Sequence, residues 1–70
     1  MKKTEYFISV NHNTGQLEQA IKNATEKRDI WIKENEDLIG KVDSEDIKIN
    51  TWSGNNSNVI ITIRFTYYPK

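Results

Sequence analysis

The sequence predicts an α+β fold: a three-stranded antiparallel sheet with one helix packed on one face, the elements running β-α-β-β in a single domain, 1–70. Three observations predict it. The first is the stretch Val59–Tyr68, which splits by parity. Val59, Ile61, Ile63, Phe65 and Tyr67 fall on one side; Ile60, Thr62, Arg64, Thr66 and Tyr68 fall on the other. Successive side chains of a strand point to opposite faces. The apolar odd set must therefore be buried and the mixed even set left outside, as in a sheet packed on one side only. The second is the stripe Leu17, Ala20, Ile21, Ala24 and Trp31, which has helical spacing. The third is Ser53-Gly54-Asn55-Asn56-Ser57-Asn58, turn chemistry lying between two β-prone runs, which reads as an antiparallel hairpin.

Taken in order, Glu5–Val10 is the first strand, with Tyr6, Ile8 and Val10 turned inward and Phe7 and Ser9 outward. Asn13 or Thr14 caps the helix that follows, and Asn13 with Gln16 has the spacing of a capping box. The helix runs from Gly15 to Glu34, about 30 Å at 1.5 Å per residue. Arg28 interrupts its apolar stripe, with an aliphatic stem able to lie along a core edge. Two other readings stand beside this one. With no proline or glycine between Gly15 and Gly40 the helix can continue to Ile39, against which Glu34, Glu36 and Asp37 would sit at the negative end of its dipole. Alternatively Asp29–Lys33 is a short strand, since Ile30-Trp31-Ile32 is β-prone. Asn35–Glu45 is an acidic connector whose Leu38, Ile39 and Val42 tuck into the core edge. Asp46–Trp52 is the second strand, with Ile47, Ile49 and Thr51 on one side and Lys48, Asn50 and Trp52 on the other. Pro69, which cannot donate to a ladder, stops the last strand.

Assembled, the buried layer is Tyr6, Ile8, Val10, Ile47, Ile49, Ile61, Ile63 and Phe65 against Leu17, Ile21, Ala24 and Trp31. The second sheet face is left open, carrying Phe7, Ser9, Lys48, Asn50, Trp52, Ile60, Thr62, Arg64 and Tyr68. Aromatics, an isoleucine and two cations on one open face form a larger apolar patch than a small monomer usually shows. Phe7, Lys48, Trp52, Arg64 and Tyr68 are its candidate binding or interface residues.

A core in a chain this short rarely gives more than about 3–5 kcal/mol. There is no cysteine, so no disulfide adds to it, and the lone histidine, His12, does not make a zinc site. Self-association or a protein partner is the expected support. Ten basic and ten acidic residues cancel, which disfavours a duplex nucleic-acid partner, since such proteins carry a basic excess. The N-terminus begins like a signal peptide, but Glu5 interrupts it and the apolar run is only Tyr6–Val10. No segment has the length of a membrane span, so the expectation is a cytoplasmic protein. The abundance of Lys, Asn and Ile points to an AT-rich genome, that of a low-GC bacterium or its phage.

Catalytic and metal motifs are missing. His12 has no nucleophile or carboxylate motif beside it, as a general base requires. Glu34, Glu36, Asp37, Asp43, Glu45 and Asp46 do not follow the calcium-loop spacing and read as a solvated acidic connector. No phosphate-binding loop, dinucleotide glycine pattern, zinc helix or nucleophile elbow occurs. The expectation is a protein that is not an enzyme and takes no cofactor. Trp31, at helical spacing, belongs to the core. Trp52 has two readings: an anchor between subunits, where aromatics and Arg are enriched, or a platform on which a base or flavin stacks, with Lys48 and Arg64 holding phosphate.

Trp31-Ile32-Lys33-Glu34-Asn35, Asp46-Ile47-Lys48-Ile49 and Val59–Phe65 together give a pattern that resembles a family of small uncharacterised proteins from sporulating Gram-positive bacteria and their phages, over about half the chain. The element order is also similar to that of dodecin, whose second strand carries a flavin-stacking tryptophan. Here Trp52 ends that strand rather than opening it, and the surrounding pattern differs, so the likeness is one of topology.

Two functions from different classes fit. One is a non-enzymatic interaction module that self-associates or binds a protein partner through the open face. The other is an oligomeric binder that sequesters a nucleotide, a flavin or a cyclic-nucleotide signal between subunits. A phage-encoded inhibitor of host defence fits either. Single-stranded nucleic-acid binding is disfavoured by the zero net charge.

Overall fold

The computed structural model describes residues 1–12, 14–52 and 58–70, without the side chains of Thr14 and Trp52. Four elements follow one another: β1 (Lys3–Asn11), α1 (Leu17–Glu34, preceded by a 3-10 turn, Thr14–Gln16), β2 (Ile39–Trp52) and β3 (Asn58–Pro69). The expected α+β fold is present: three antiparallel strands in one sheet, with one helix on one face. The strand order is β1-β3-β2, so the last strand in sequence is the middle of the sheet.

That position suits β3's composition. Its odd residues Val59, Ile61, Ile63, Phe65 and Tyr67 are all buried under α1. Ala20 and Ala24 are wholly buried and let the helix lie close to the sheet. Trp31 covers three aromatic rings, with centroids 5.8 Å from Phe7, 6.0 Å from Phe65 and 5.5 Å from Tyr67. The helix ends at Glu34, before the run of acidic residues that its dipole would oppose. Asn35 closes it: the backbone N–H donates to the Trp31 and Ile32 carbonyls, and the side-chain amide donates to the Trp31 carbonyl at 2.8 Å. At the other end the N-cap is Gln16, with no side-chain capping bond. The capping role expected of Asn13 lies outside the described residues, as does the Ser53–Ser57 turn.

Three expectations are corrected. Strand β1 is turned over. Phe7 and Ser9 are buried, whereas Tyr6, Ile8 and Val10 are exposed on the opposite face. The register explains this: Phe7 lies opposite Ile63 and Ser9 opposite Ile61, and residues paired across an antiparallel ladder share a face. Beneath a helix held close by two alanines, the small Ser9 is the side chain that fits.

Second, Asn35–Glu45 is not a connector beyond its first residues. β2 begins at Ile39 and pairs with β3 as far as Pro69, with register shifts between Ile39 and Lys41 and between Val42 and Ser44. The acidic residues tolerate a strand because each meets a cation from elsewhere. Asp43 takes Lys2 at 3.2 Å, Glu45 takes Arg28 at 2.8 Å and Asp46 takes Arg64.

Third, Ile47 and Ile49 are on the helix side, opposite Ile63 and Ile61, but they are not core. They remain 47% and 46% exposed because α1 packs over β1 and β3 and leaves most of β2 uncovered. Leu17, also expected in the core, is exposed at the start of the helix.

Every residue from 41 to 51 is exposed. The molecule measures 46 × 19 × 12 Å with a radius of gyration of 13.8 Å; a compact chain of this length has about 11 Å. Its accessible surface is 5078 Å², where about 4,500 Å² is usual for the mass.

Candidate functional site

The open sheet face is built from three strands in register. Tyr6, Arg64 and Asp46 form one cross-strand row; Ile8, Thr62 and Lys48 form the next; Val10, Ile60 and Asn50 form the third. Toward the chain termini lie Thr4, Thr66 and Ser44, and the two threonine hydroxyls are 3.3 Å apart. No described element covers this face. Tyr6 is 60% exposed, and Ile8 and Val10 are each 49% exposed. The three stand side by side on β1 as an apolar strip, with Ile60 continuing it on β3.

A shallow depression of about 300 Å³ lies across the first two rows, lined by Tyr6, Asp46, Lys48, Thr62 and Arg64. It is the junction of the apolar strip with the charged half of the face. Arg64 is held by the Asp46 carboxylate, while Lys48 has no ion-pair partner among the described residues. One cation here is therefore neutralised and one is free.

Of the residues expected to form the site, Lys48 and Arg64 meet on the open face and line that depression. Tyr68 is also on this face, partly exposed, with the Lys2 ammonium 5.7 Å from its ring centroid. The hydrogen bond and charge of Asp43, and then the Tyr68 hydroxyl, hold the Lys2 amine above its ordinary value. Phe7 is not part of the face; it is buried under Trp31, and Tyr6 occupies the position assigned to it. The Trp52 side chain lies outside the described residues. Its backbone pairs with Asn58, ten residues along β3 from Tyr68, which is about 33 Å at strand rise. Tyr68 and Trp52 thus stand at opposite ends of the sheet and do not share a site.

Tyr6, Ile8, Val10 and Asp46 are the face residues that sequence parity missed. For the three on β1 the signal is indirect, the small Ser9 suiting the side covered by the helix; Asp46 follows from sharing the parity of Lys48 on β2.

On the helix side, Arg28 bridges from α1 to β2, donating to Glu45 at 2.8 Å and to its neighbour Asp29 at 3.0 Å. Burial pulls the guanidinium down, but the Asp29 hydrogen bond and the charge and hydrogen bond of Glu45 outweigh it, so Arg28 is held above its ordinary value. His12 is exposed, its Nδ1 3.1 Å from the Asn58 side-chain oxygen, an amide rather than a carboxylate. Among the described residues no cluster of three or more carboxylate or imidazole groups is placed to hold a metal ion. Among the described residues no helix is long and apolar enough to cross a membrane.

The fold and face define a small α+β protein with one uncovered sheet face. No protein-family model matches the chain, and neither a curated protein nor a solved structure matches it.

Proposed function

We propose that this chain is a small interaction module, not an enzyme, that self-associates or binds a protein partner through its open sheet face. The observation that carries this reading is the strip Tyr6, Ile8 and Val10, 60%, 49% and 49% exposed on one strand beside Ile60. Apolar side chains grouped this way on a small protein mark a contact surface. Aromatic residues and an arginine at the patch match the composition of interface centres. The excess surface of the isolated chain supports the same conclusion, since a small core gains most from a partner.

Ile8→Asp tests it, because it places a charge in the middle of the strip without touching the helix side. Native mass spectrometry of wild type should show an assembly, and the variant should lose the contact made through this face, running at a lower mass while keeping the same circular dichroism spectrum. An unchanged assembly in Ile8→Asp and in Tyr6→Ala would sink the proposal.

A second reading, sequestration of a nucleotide, flavin or cyclic-nucleotide signal, is favoured by the depression between Tyr6, Lys48 and Arg64. Asp46 in its lining opposes an anionic ligand, which ranks this reading second. The same spectra separate the two: a retained mass of a few hundred daltons that vanishes in Lys48→Ala identifies a ligand.

A further inference from the structure

We infer that the outer edge of β2 is a pairing edge for a second copy of this chain, joined antiparallel about a two-fold axis at Ile47. The inference uses the edge of the sheet rather than its open face, so it does not rest on the proposal above.

The two edges of the sheet differ. A free edge offers unpaired N–H and C=O groups to any passing strand, and proteins usually blunt it. The β1 edge is blunted: α1 packs over this strand, and the Lys27 ammonium donates to the Ile8 carbonyl at 2.7 Å. The register shifts of β2 are confined to 39–44. Beyond them, from Ser44 to Trp52, the strand pairs without interruption with β3 on one side, and no described residue covers its other side. A sheet with one protected and one open edge extends once and then stops. Joining two such edges about a two-fold axis gives a closed dimer with one six-stranded sheet.

The side chains select the register. Centred on Ile47, the pairing sets Asp46 against the second copy's Lys48, twice, on the open face. Opposite charges facing each other across strands are favourable. Lys48, without an ion-pair partner among the described residues, gains one. On the helix side the two Ile47 side chains meet, with the Ile49 side chains diagonal to them. A register centred on Lys48 pairs one more residue at each end, but it stacks two lysines on each other. A register centred on Asp46 stacks two carboxylates.

The chain contains no cysteine, so single introduced thiols report the register directly. Facing residues in an antiparallel pair have Cα atoms about 4.5–5.5 Å apart, within the span a disulfide bridges. Under mild oxidation Ile47→Cys should form the doubled-mass species faster than Lys48→Cys or Ile49→Cys. Lys48→Asp and Asp46→Lys should each lose the edge contact, running at half the mass of wild type, and regain it when mixed, because each supplies the charges the other lacks. Should either variant misfold by circular dichroism, the cysteine series decides alone. The cysteine series repeated with Ile8→Asp should still cross-link at Ile47. Cross-linking that is no faster at Ile47 than at the other positions, or that is lost with Ile8→Asp, overturns the edge pairing. In the second case the contact is made by the open face.

Discussion

Phe7→Ala and Tyr6→Ala, compared side by side, test both the packing of β1 and the identity of the open face. Phe7 is 7% exposed and stacks against Trp31, with ring centroids 5.8 Å apart. Emptying such a site costs about 3–5 kcal/mol, the removed ring and the cavity together. A core in a chain of this size supplies about 3–5 kcal/mol in all. Phe7→Ala should therefore leave little folded protein as an isolated chain. With a urea m-value of about 1 kcal/mol per molar, the midpoint moves down by about 3 M. Tyr6 stands on the other face, mostly in solvent, and its truncation should cost under about 1 kcal/mol. The assay is urea unfolding followed by circular dichroism, at low concentration so that association does not contribute. If Tyr6→Ala collapses the fold and Phe7→Ala leaves the midpoint in place, β1 packs with the opposite parity, and the open-face assignment falls with it.

Other consequences follow from the same contacts. Trp31→Ala should destabilise by about 2–4 kcal/mol, slightly less than a fully buried ring because part of the indole is exposed, and thermal melts will register it. Gly40→Ala should cost about 1 kcal/mol, since a Cβ there comes 3.1 Å from the Tyr68 carbonyl oxygen and 3.3 Å from that of Pro69, both backbone atoms. A midpoint unchanged in Gly40→Ala would show that the β2–β3 pairing is looser at that end. Arg28→Met should lower stability by about 1 kcal/mol by stranding Glu45 while keeping the apolar stem, as seen in denaturant titrations. The Lys2 amine is held above its ordinary 10.5 in the folded chain. Its stabilising contribution is therefore complete below that pH and fades as the pH rises through the higher folded value, so Lys2→Ala should melt below wild type at neutral pH and alongside it in strong alkali.

How far the sequence reveals the fold differs from strand to strand. β3 is plain because its odd positions are apolar without exception and its even positions are not. The end of α1 is legible for an electrostatic reason, the acidic run that would oppose the dipole. The parity of β1 is not legible by counting apolar residues: Tyr6, Ile8 and Val10 outnumber Phe7 and Ser9. The deciding facts are the pairing of Phe7 with Ile63 and the closeness of an alanine-faced helix, both tertiary. The first half of β2 is hidden similarly. Asp43, Glu45 and Asp46 look solvated until Lys2, Arg28 and Arg64 are brought to them from the N-terminus, α1 and β3. Of the candidate site, Lys48, Arg64 and Tyr68 follow from strand alternation alone, whereas the apolar strip beside them inherits the error in β1.

The central place of β3 also sets an order of assembly. Every ladder in the sheet passes through it, and β1 and β2 are not hydrogen-bonded neighbours. Lys3 must find Tyr67, almost the whole chain away, before the first strand has a neighbour. During synthesis the β1 and α1 segments emerge with no strand to pair against, and the β2–β3 hairpin closes only once Asn58–Pro69 has left the ribosome. Loop closure over that distance is slow compared with hairpin formation. A nascent chain halted before Asn58 has no sheet at all, and its exposed apolar segments are what a chaperone would meet.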